Sequence, residues 1–333
     1  MPQRSKMSRG MTATFFNWIF IIIAGALIIM FFFKIIHAQA KLTETEISTR
    51  VLKDLEDIII GKSTTSETAS EIKIQNREFI IECAEPCTER TGCKSSISTP
   101  NSMPIEMSGQ PIFSLQKIKA DTIYAFTLSW NIPFHAGNFL YLASPGEKII
   151  FDSATCGAGT DCDRIFAKIP QRIKNARIAV QTANPQAEQG DFVRKVKFGN
   201  CPYEENTICV DGNKINFYES STKSFNYYGD ETVLGAIFSQ DSKTFECNMK
   251  KAVYKMKNIQ AVLEGKRAQF STYYQNEQPN QNCQSVYNEI QAPLDTYKIN
   301  SYGDLNGGTI SANSEELSTI NNAMRRYSCS SLY

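Results

Sequence analysis

Residues 148–180 read KIIFDSATCGAGTDCDRIFAKIPQRIKNARIAV. Lys148-Ile149-Ile150-Phe151 and Ala176-Arg177-Ile178-Ala179-Val180 are short β-branched runs of strand type, and Asp163 to Lys174 between them reads as a short helix. A strand, a helix and a second strand within so few residues predict a β-α-β unit. The loop Thr155-Cys156-Gly157-Ala158-Gly159-Thr160-Asp161-Cys162 lies between the first strand and the helix, with cysteines at both its borders.

Working outward from this unit, strands are expected at Phe79–Cys83, Ile123–Leu128, Phe139–Leu142, Ile208–Val210 and Lys214–Tyr218, with a further one at Leu234–Phe238. Asp211-Gly212-Asn213 between two of them predicts a hairpin. After Asp241 the period lengthens to that of helices: Phe245, Met249, Ala252, Val253, Met256, Ile259 and Leu263 form one stripe, capped by Asp241 or Ser242. A second helix is expected from Cys283, with Val286, Tyr287 and Ile290 inward and Pro293 ending or kinking it. Asn306-Gly307-Gly308 reads as a turn. Asn313-Ser314-Glu315-Glu316 then reads as a helix start, with Leu317, Ile320, Met324 and Tyr327 on one side. The fold class is therefore mixed α/β (α+β), strand-rich first and helical last.

Ten cysteines stand at 83, 87, 93, 156, 162, 201, 209, 247, 283 and 329, none of them before residue 83. An even number with local spacings predicts a disulfide framework and hence an oxidising compartment. Zinc is disfavoured, because there is no Cys-x-x-Cys pair and the only histidines are His37 and His135. Locality suggests Cys156–Cys162, Cys201–Cys209, and Cys247 with Cys283 or Cys329. Cys83, Cys87 and Cys93 form an odd trio, so one of them must reach elsewhere.

Upstream, Phe15 to Phe33 contains a single polar residue, Asn17. Extended to Ile36, this helix spans the hydrocarbon core of about 30 Å. Arg4, Lys6 and Arg9 precede it without an acid in the first ten residues, which places the N-terminus in the cytoplasm and the rest outside. An uncleaved signal-anchor is the preferred reading, since a secretory apolar region is shorter. Ala38-Gln39-Ala40 offers cleavage behind the helix. Lys6-Met7-Ser8-Arg9-Gly10 before Met11 resembles the class III signal of archaeal type IV pilin-like proteins, although Phe15 stands where those carry glutamate.

These boundaries give a cytoplasmic basic segment (1–14), a transmembrane anchor (15–36), a stalk helix (37–62), a linker (63–75), a disulfide-braced α/β region (76–240) and a helical C-terminal region packing on it (241–333). Ile47, Val51, Leu55, Ile58 and Ile59 share one face of the stalk. Packing on its own domain is preferred over self-association or a protein partner through that face. The net charge of +1 gives no basic field for nucleic acid, and mean hydropathy of −0.30 suits a polar body with one greasy segment.

Catalytic signatures are absent: no Gly-x-Ser-x-Gly, His-Glu-x-x-His, Walker A or Gly-x-Gly-x-x-Gly occurs. His135 is the candidate base, as the one imidazole of the exported body, though a surface role is preferred. Asp152, Asp161 and Asp163 are the candidate metal ligands. Their spacing does not match a calcium loop, so an exposed, disulfide-closed turn is preferred. No cofactor is expected, and no Asn-x-Ser/Thr sequon is present.

Three stretches carry a resemblance: Phe16-Asn17-Trp18-Ile19-Phe20, Ser129-Trp130-Asn131-Ile132-Pro133-Phe134 leading into Asn138–Pro145, and Leu234–Ser239 before Glu246–Lys251. Their order resembles a group of uncharacterised archaeal single-pass surface proteins with an exported α/β domain. That resemblance implies topology and no activity. The expected function is a membrane-anchored extracytoplasmic module with a structural or partner-binding, non-catalytic role. Alternatives are an anchored hydrolase-like enzyme with a dispersed site and a type IV pilin-like filament subunit.

Overall fold

A computed structural model describes residues 19–20, 22–34, 53, 57, 61, 68–88, 92–100, 102–145, 147–175, 179–183, 192–277, 279–296 and 307–333. The chain divides into two compact units, Met1–Val51 and Leu52–Tyr333.

In the first unit residues 22–34 are helical. Among the described residues no helix is long and apolar enough to cross a membrane. The flanking parts of the expected 15–36 anchor, 15–18, 21 and 35–36, lie outside the described residues, as do both cleavage positions. Of the expected stalk only Lys53, Asp57 and Gly61 are described, all helical.

The second unit holds two six-stranded sheets and seven helices among its described residues. The first sheet comprises β1 (Ala69–Thr88), β2 (Gly92–Ser98), β3 (Ile105–Ser108), β4 (Ile112–Phe113), β5 (Lys117–Ile132) and β6 (Phe134–Ala143), in spatial order β3-β2-β1-β5-β6-β4. All its pairings are antiparallel except β4 with β6. β1 begins inside the segment expected to be a linker, because Ala69–Lys73 pair with Thr122–Phe126 of β5.

The second sheet contains β7 (Glu147–Asp152), β8 (Ala179–Ala183), β9 (Phe192–Phe198), β10 (Thr207–Asp211), β11 (Lys214–Tyr218) and β12 (Thr222–Asn226), ordered β12-β11-β10-β9-β7-β8. The β-α-β unit is present, with its one expected helix split in two: β7 is followed by α1 (Asp161–Lys168) and α2 (Gln171–Asn175), and β8 returns parallel to β7, residues 176–178 of the expected strand lying outside the described ones. The hairpin is present too. Asp211 faces Lys214, and Gly212 takes a φ of +56° that a side chain would resist. Cys201–Cys209 staples the short connection between the parallel strands β9 and β10.

Leu234–Phe238 is not a strand; it is the second half of helix α3 (Asp230–Phe238). This helix touches strands of both sheets, so it is buried on every side and carries no amphipathic period. A short, uniformly apolar run gives the same signal for a buried strand and a buried helix. Around α3 the aromatic rings close the core. Phe126 stacks on Tyr141 at 4.5 Å, Phe238 meets Phe126 edge-on at 5.2 Å, and Trp130 stacks on Phe139 at 5.0 Å.

The C-terminal part is α4 (Ser242–Asn276), α5 (Gln281–Glu289), α6 (Gln291–Thr296) and α7 (Gly307–Arg326). Asp241 caps α4, accepting from the Thr244 amide at 2.7 Å, and the expected stripe from Phe245 to Leu263 faces inward with Ile259 half-buried. The helix break falls at Ile290, ahead of Pro293, which sits in the first turn of α6 where its missing N–H costs least. α7 starts at Gly307 rather than Asn313, so the expected Gly-Gly turn is its first turn. Tyr327 is exposed rather than inward, because the chain has left the helix: Ser328 has φ +58° and the Cys329 amide returns to the Met324 carbonyl.

The disulfides Cys156–Cys162 and Cys201–Cys209 form as expected. Cys247 pairs instead with Cys83, and Cys283 with Cys329. α4 lies across β1, which brings Cys247 against the first sheet and leaves the last two cysteines to join α5 to the C-terminal tail. Cys93 is disulfide-bonded as well, and Cys87 lies among residues whose side chains are not described.

Candidate functional site

Among the described residues of the second unit, two open clefts stand out. The first, of about 470 Å³, lies between β5 and the helices α1 and α3, with Leu128, Ser129, Asn131, Lys168, Pro170 and Glu231 in its walls. Thr160 caps α1 by accepting from the Asp163 amide, and the helix then presents Arg164 and Lys168 one turn apart. Opposite them, Asp230 and Glu231 open α3, where the helix dipole favours acids. Arg164 bridges Asp230 and Asp161, while the Lys168 ammonium lies 2.6 Å from Glu231 and 3.1 Å from Asp230. Burial works against the Lys168 charge, but its hydrogen bonds and charge contacts with Glu231 and Asp230 outweigh that and raise its pKa. Both acids are held as ion-pair partners, a poor arrangement for a general base.

The second cleft, of about 610 Å³, separates the first turns of α4 from β1. Its walls carry Glu82 and Cys83 from one side and Lys243, Glu246, Cys247 and Lys250 from the other. Gln116 and Thr244 also line it, Gln116 donating to the Thr244 hydroxyl at 3.2 Å. The disulfide Cys83–Cys247 forms part of the cleft wall.

His135 lies in neither set of cleft walls. It belongs to β6, since the β5–β6 register carries Asn131 opposite His135 and leaves only Pro133 between the strands. Its Nδ1 lies 3.2 Å from the Asn131 side-chain oxygen. Burial first, and the Lys255 charge second, lower its pKa. Lys255 approaches because Gly137 (φ +152°) has no side chain; a Cβ there would sit 3.3 Å from the lysine stem. The imidazole faces an amide and a lysine, and among the described residues no carboxylate is hydrogen-bonded to it to orient a catalytic base.

Asp152, Asp161 and Asp163 do not converge. Asp152 accepts from the Ala154 amide, Asp161 pairs with Arg164, and Asp163 accepts from the Gly159 amide. Among the described residues no group of three or more His, Cys, Asp or Glu side chains is placed to hold a metal ion.

Chemistry that the sequence did not signal lies deeper. Lys251 of α4 donates to the Ser95 hydroxyl on β2 and to Asn248 Oδ1 at 3.2 Å. Burial lowers its pKa to about 7. A serine beside a neutral lysine is a nucleophile–base pair in kind, yet each residue is 1% exposed, so substrate has no way in. Glu147 and Arg194 form a second buried charge system. Burial raises Glu147 to about 8 against the pull of the Ser144 amide and Arg194, and burial lowers Arg194 to about 10. Asn248 and Lys251, three apart beside the apolar stripe, were the one trace in the sequence; Ser95, Glu147 and Arg194 left none.

No family model matches the chain, no curated protein matches it, and no solved structure matches it.

Proposed function

We propose that this chain is an extracytoplasmic module, held in a membrane by a single N-terminal helix, that binds a partner rather than catalysing a reaction. The observation that carries the reading is the helix 22–34. Its large apolar side chains are exposed on every side, from Ile22 at 66% and Leu27 at 61% to Phe33 at 61%, and no polar residue interrupts them before Lys34. A helix that is apolar all round needs an apolar surrounding, and a lipid bilayer provides one. The basic residues ahead of it favour a cytoplasmic N-terminus and an exported body. Disulfides distributed through that body suit an oxidising compartment, and the resemblance to archaeal single-pass surface proteins points the same way.

The non-catalytic half of the proposal rests on the sites. The acids of the first cleft are ion-paired, His135 has no acid partner among the described residues, and the Ser95–Lys251 pair is closed to solvent. Open, charged clefts suit recognition of a protein partner better than chemistry that must exclude water.

The test is membrane fractionation of the full chain in its native host type, with alkaline carbonate extraction and protease digestion of intact cells. The proposal requires carbonate-resistant protein whose body is digested from outside. A soluble cytosolic protein with reduced thiols overturns it. Hydrolysis of ester or peptide substrates that is lost in Lys251→Met would replace the binding role with the enzyme alternative.

A further inference from the structure

We infer that Cys83–Cys247 is a thiol-exchange site, open to a small anionic thiol through the larger cleft and modified by it at Cys83. The disulfide stands in the wall of the cleft of about 610 Å³, and no other described cystine lines either cleft. Its two sulfurs are unequal. Cys83 is partly exposed on β1, whereas Cys247 is 2% exposed on α4. An incoming thiolate therefore reaches the Cys83 sulfur, and Cys247 is the leaving group.

The surroundings suit that direction of attack. Lys243 and Lys250 stand four residues before and three after Cys247, on the same helix face and in the same cleft. Lys250 also pairs with Glu246 at 3.0 Å, and Glu82 adjoins Cys83, so the cleft carries both signs of charge, with a lysine on either side of Cys247 along α4. Ammonium groups beside a cysteine favour its thiolate, and a better leaving thiolate departs faster. The exchange balances without further reagents: the attacking thiolate forms a mixed disulfide with Cys83, the Cys83–Cys247 bond breaks, and its electron pair leaves on Cys247. A second thiol can complete reduction. Cys156 and Cys201 are also partly exposed, but neither lines a cleft, and the acids nearest Cys156 in the chain are Asp152, Asp161 and Asp163, of which Asp161 pairs with Arg164.

The experiment treats the full chain in detergent with reduced glutathione, an anionic thiol, or with cysteamine, a cationic one, and locates opened cysteines by differential alkylation and peptide mass spectrometry. Glutathione is expected to open Cys83–Cys247 before Cys156–Cys162 and to be found on Cys83. Its rate relative to cysteamine should be about fivefold higher at Cys83–Cys247 than at Cys156–Cys162, a ratio of the size that one or two exposed charge contacts supply. The double variant Lys243→Gln/Lys250→Gln, altered at one exposed and one half-buried position, should lose that preference while its unfolding temperature falls by no more than loss of the Lys250–Glu246 pair accounts for. Opening of Cys156–Cys162 first, an adduct on Cys247, or an unchanged preference in the double variant each overturns the inference. Because it is read on purified protein, the result stands apart from the membrane assignment.

Discussion

The ammonium of Lys251 and the hydroxyl of Ser95 are hydrogen-bonded beneath α4, in a place where each residue is 1% exposed. They join the long helix to β2, and no carboxylate compensates the lysine charge in their described hydrogen bonds. Burial accordingly brings the lysine from 10.5 to about 7. Between those two values the unfolded chain holds a proton at Lys251 that the folded chain has released. Stability should therefore rise with pH across about 7 to 10.5 and be insensitive to this group below that window. In Lys251→Met this contribution disappears. The wild-type minus variant difference in urea-unfolding free energy should climb through the window by a few kcal/mol, on the order expected for a shift of this size. A flat difference would show that Lys251 is charged in the folded protein.

Glu147 gives the opposite slope. Burial raises it from 4.5 to about 8, so between those values the folded chain keeps a proton that the unfolded chain has lost, and stability falls as pH rises. Glu147→Gln retains the oxygen that accepts from the Ser144 amide at 3.0 Å and cannot ionise. The variant should match wild type near pH 5 and exceed it near pH 8, by on the order of 1–3 kcal/mol in chemical denaturation. Equal curves at both pH values would mean that Arg194 holds Glu147 ionised.

Gly235 and Gly265, both in helices, should respond in opposite directions. A Cβ on Gly235 of α3 would lie 2.9 Å from the Phe113 ring, inside the aromatic core. Gly235→Ala should cost about 1–3 kcal/mol by overpacking. Gly265 of α4 has nothing within 4 Å of the same position. Gly265→Ala should gain about 0.5–1 kcal/mol, because alanine restricts the unfolded chain without strain. Thermal unfolding of the two variants checks both signs.

The cystines should differ by the length of chain they close. Cys83–Cys247 spans 164 residues and Cys156–Cys162 spans 6. Loop-closure entropy assigns about 5 kcal/mol to the first and about 2 kcal/mol to the second. Cys83→Ala/Cys247→Ala should lower the urea midpoint well below that of Cys156→Ala/Cys162→Ala. The reverse order would place the stabilisation in local loop structure rather than in the β1–α4 tether.

Local chemistry was legible from residue order alone. The β-α-β unit, the Gly212 hairpin, the Asp241 cap and the two short-range cystines all depend on neighbours within a few residues, and turn, cap and period rules act at that range. Leu234–Phe238 failed because burial on all sides erases period: placed between two sheets, a helix needs no polar face, and its sequence is then indistinguishable from that of a buried strand. Of the candidate site residues, His135, Asp152, Asp161 and Asp163 were singled out for their type, and the fold gives each of them an ordinary hydrogen bond or ion pair.

The sequence by itself determined the mixed α/β class, the helical C-terminal part and the presence of a cystine framework. Tertiary structure alone decided that Cys247 belongs to Cys83, that Ser95 meets Lys251 and that Glu147 and Arg194 share the interior. Each of these joins residues far apart in the chain, and such contacts are fixed by which faces pack together. Short-range periodicity records that a face is buried; it does not record what buries it.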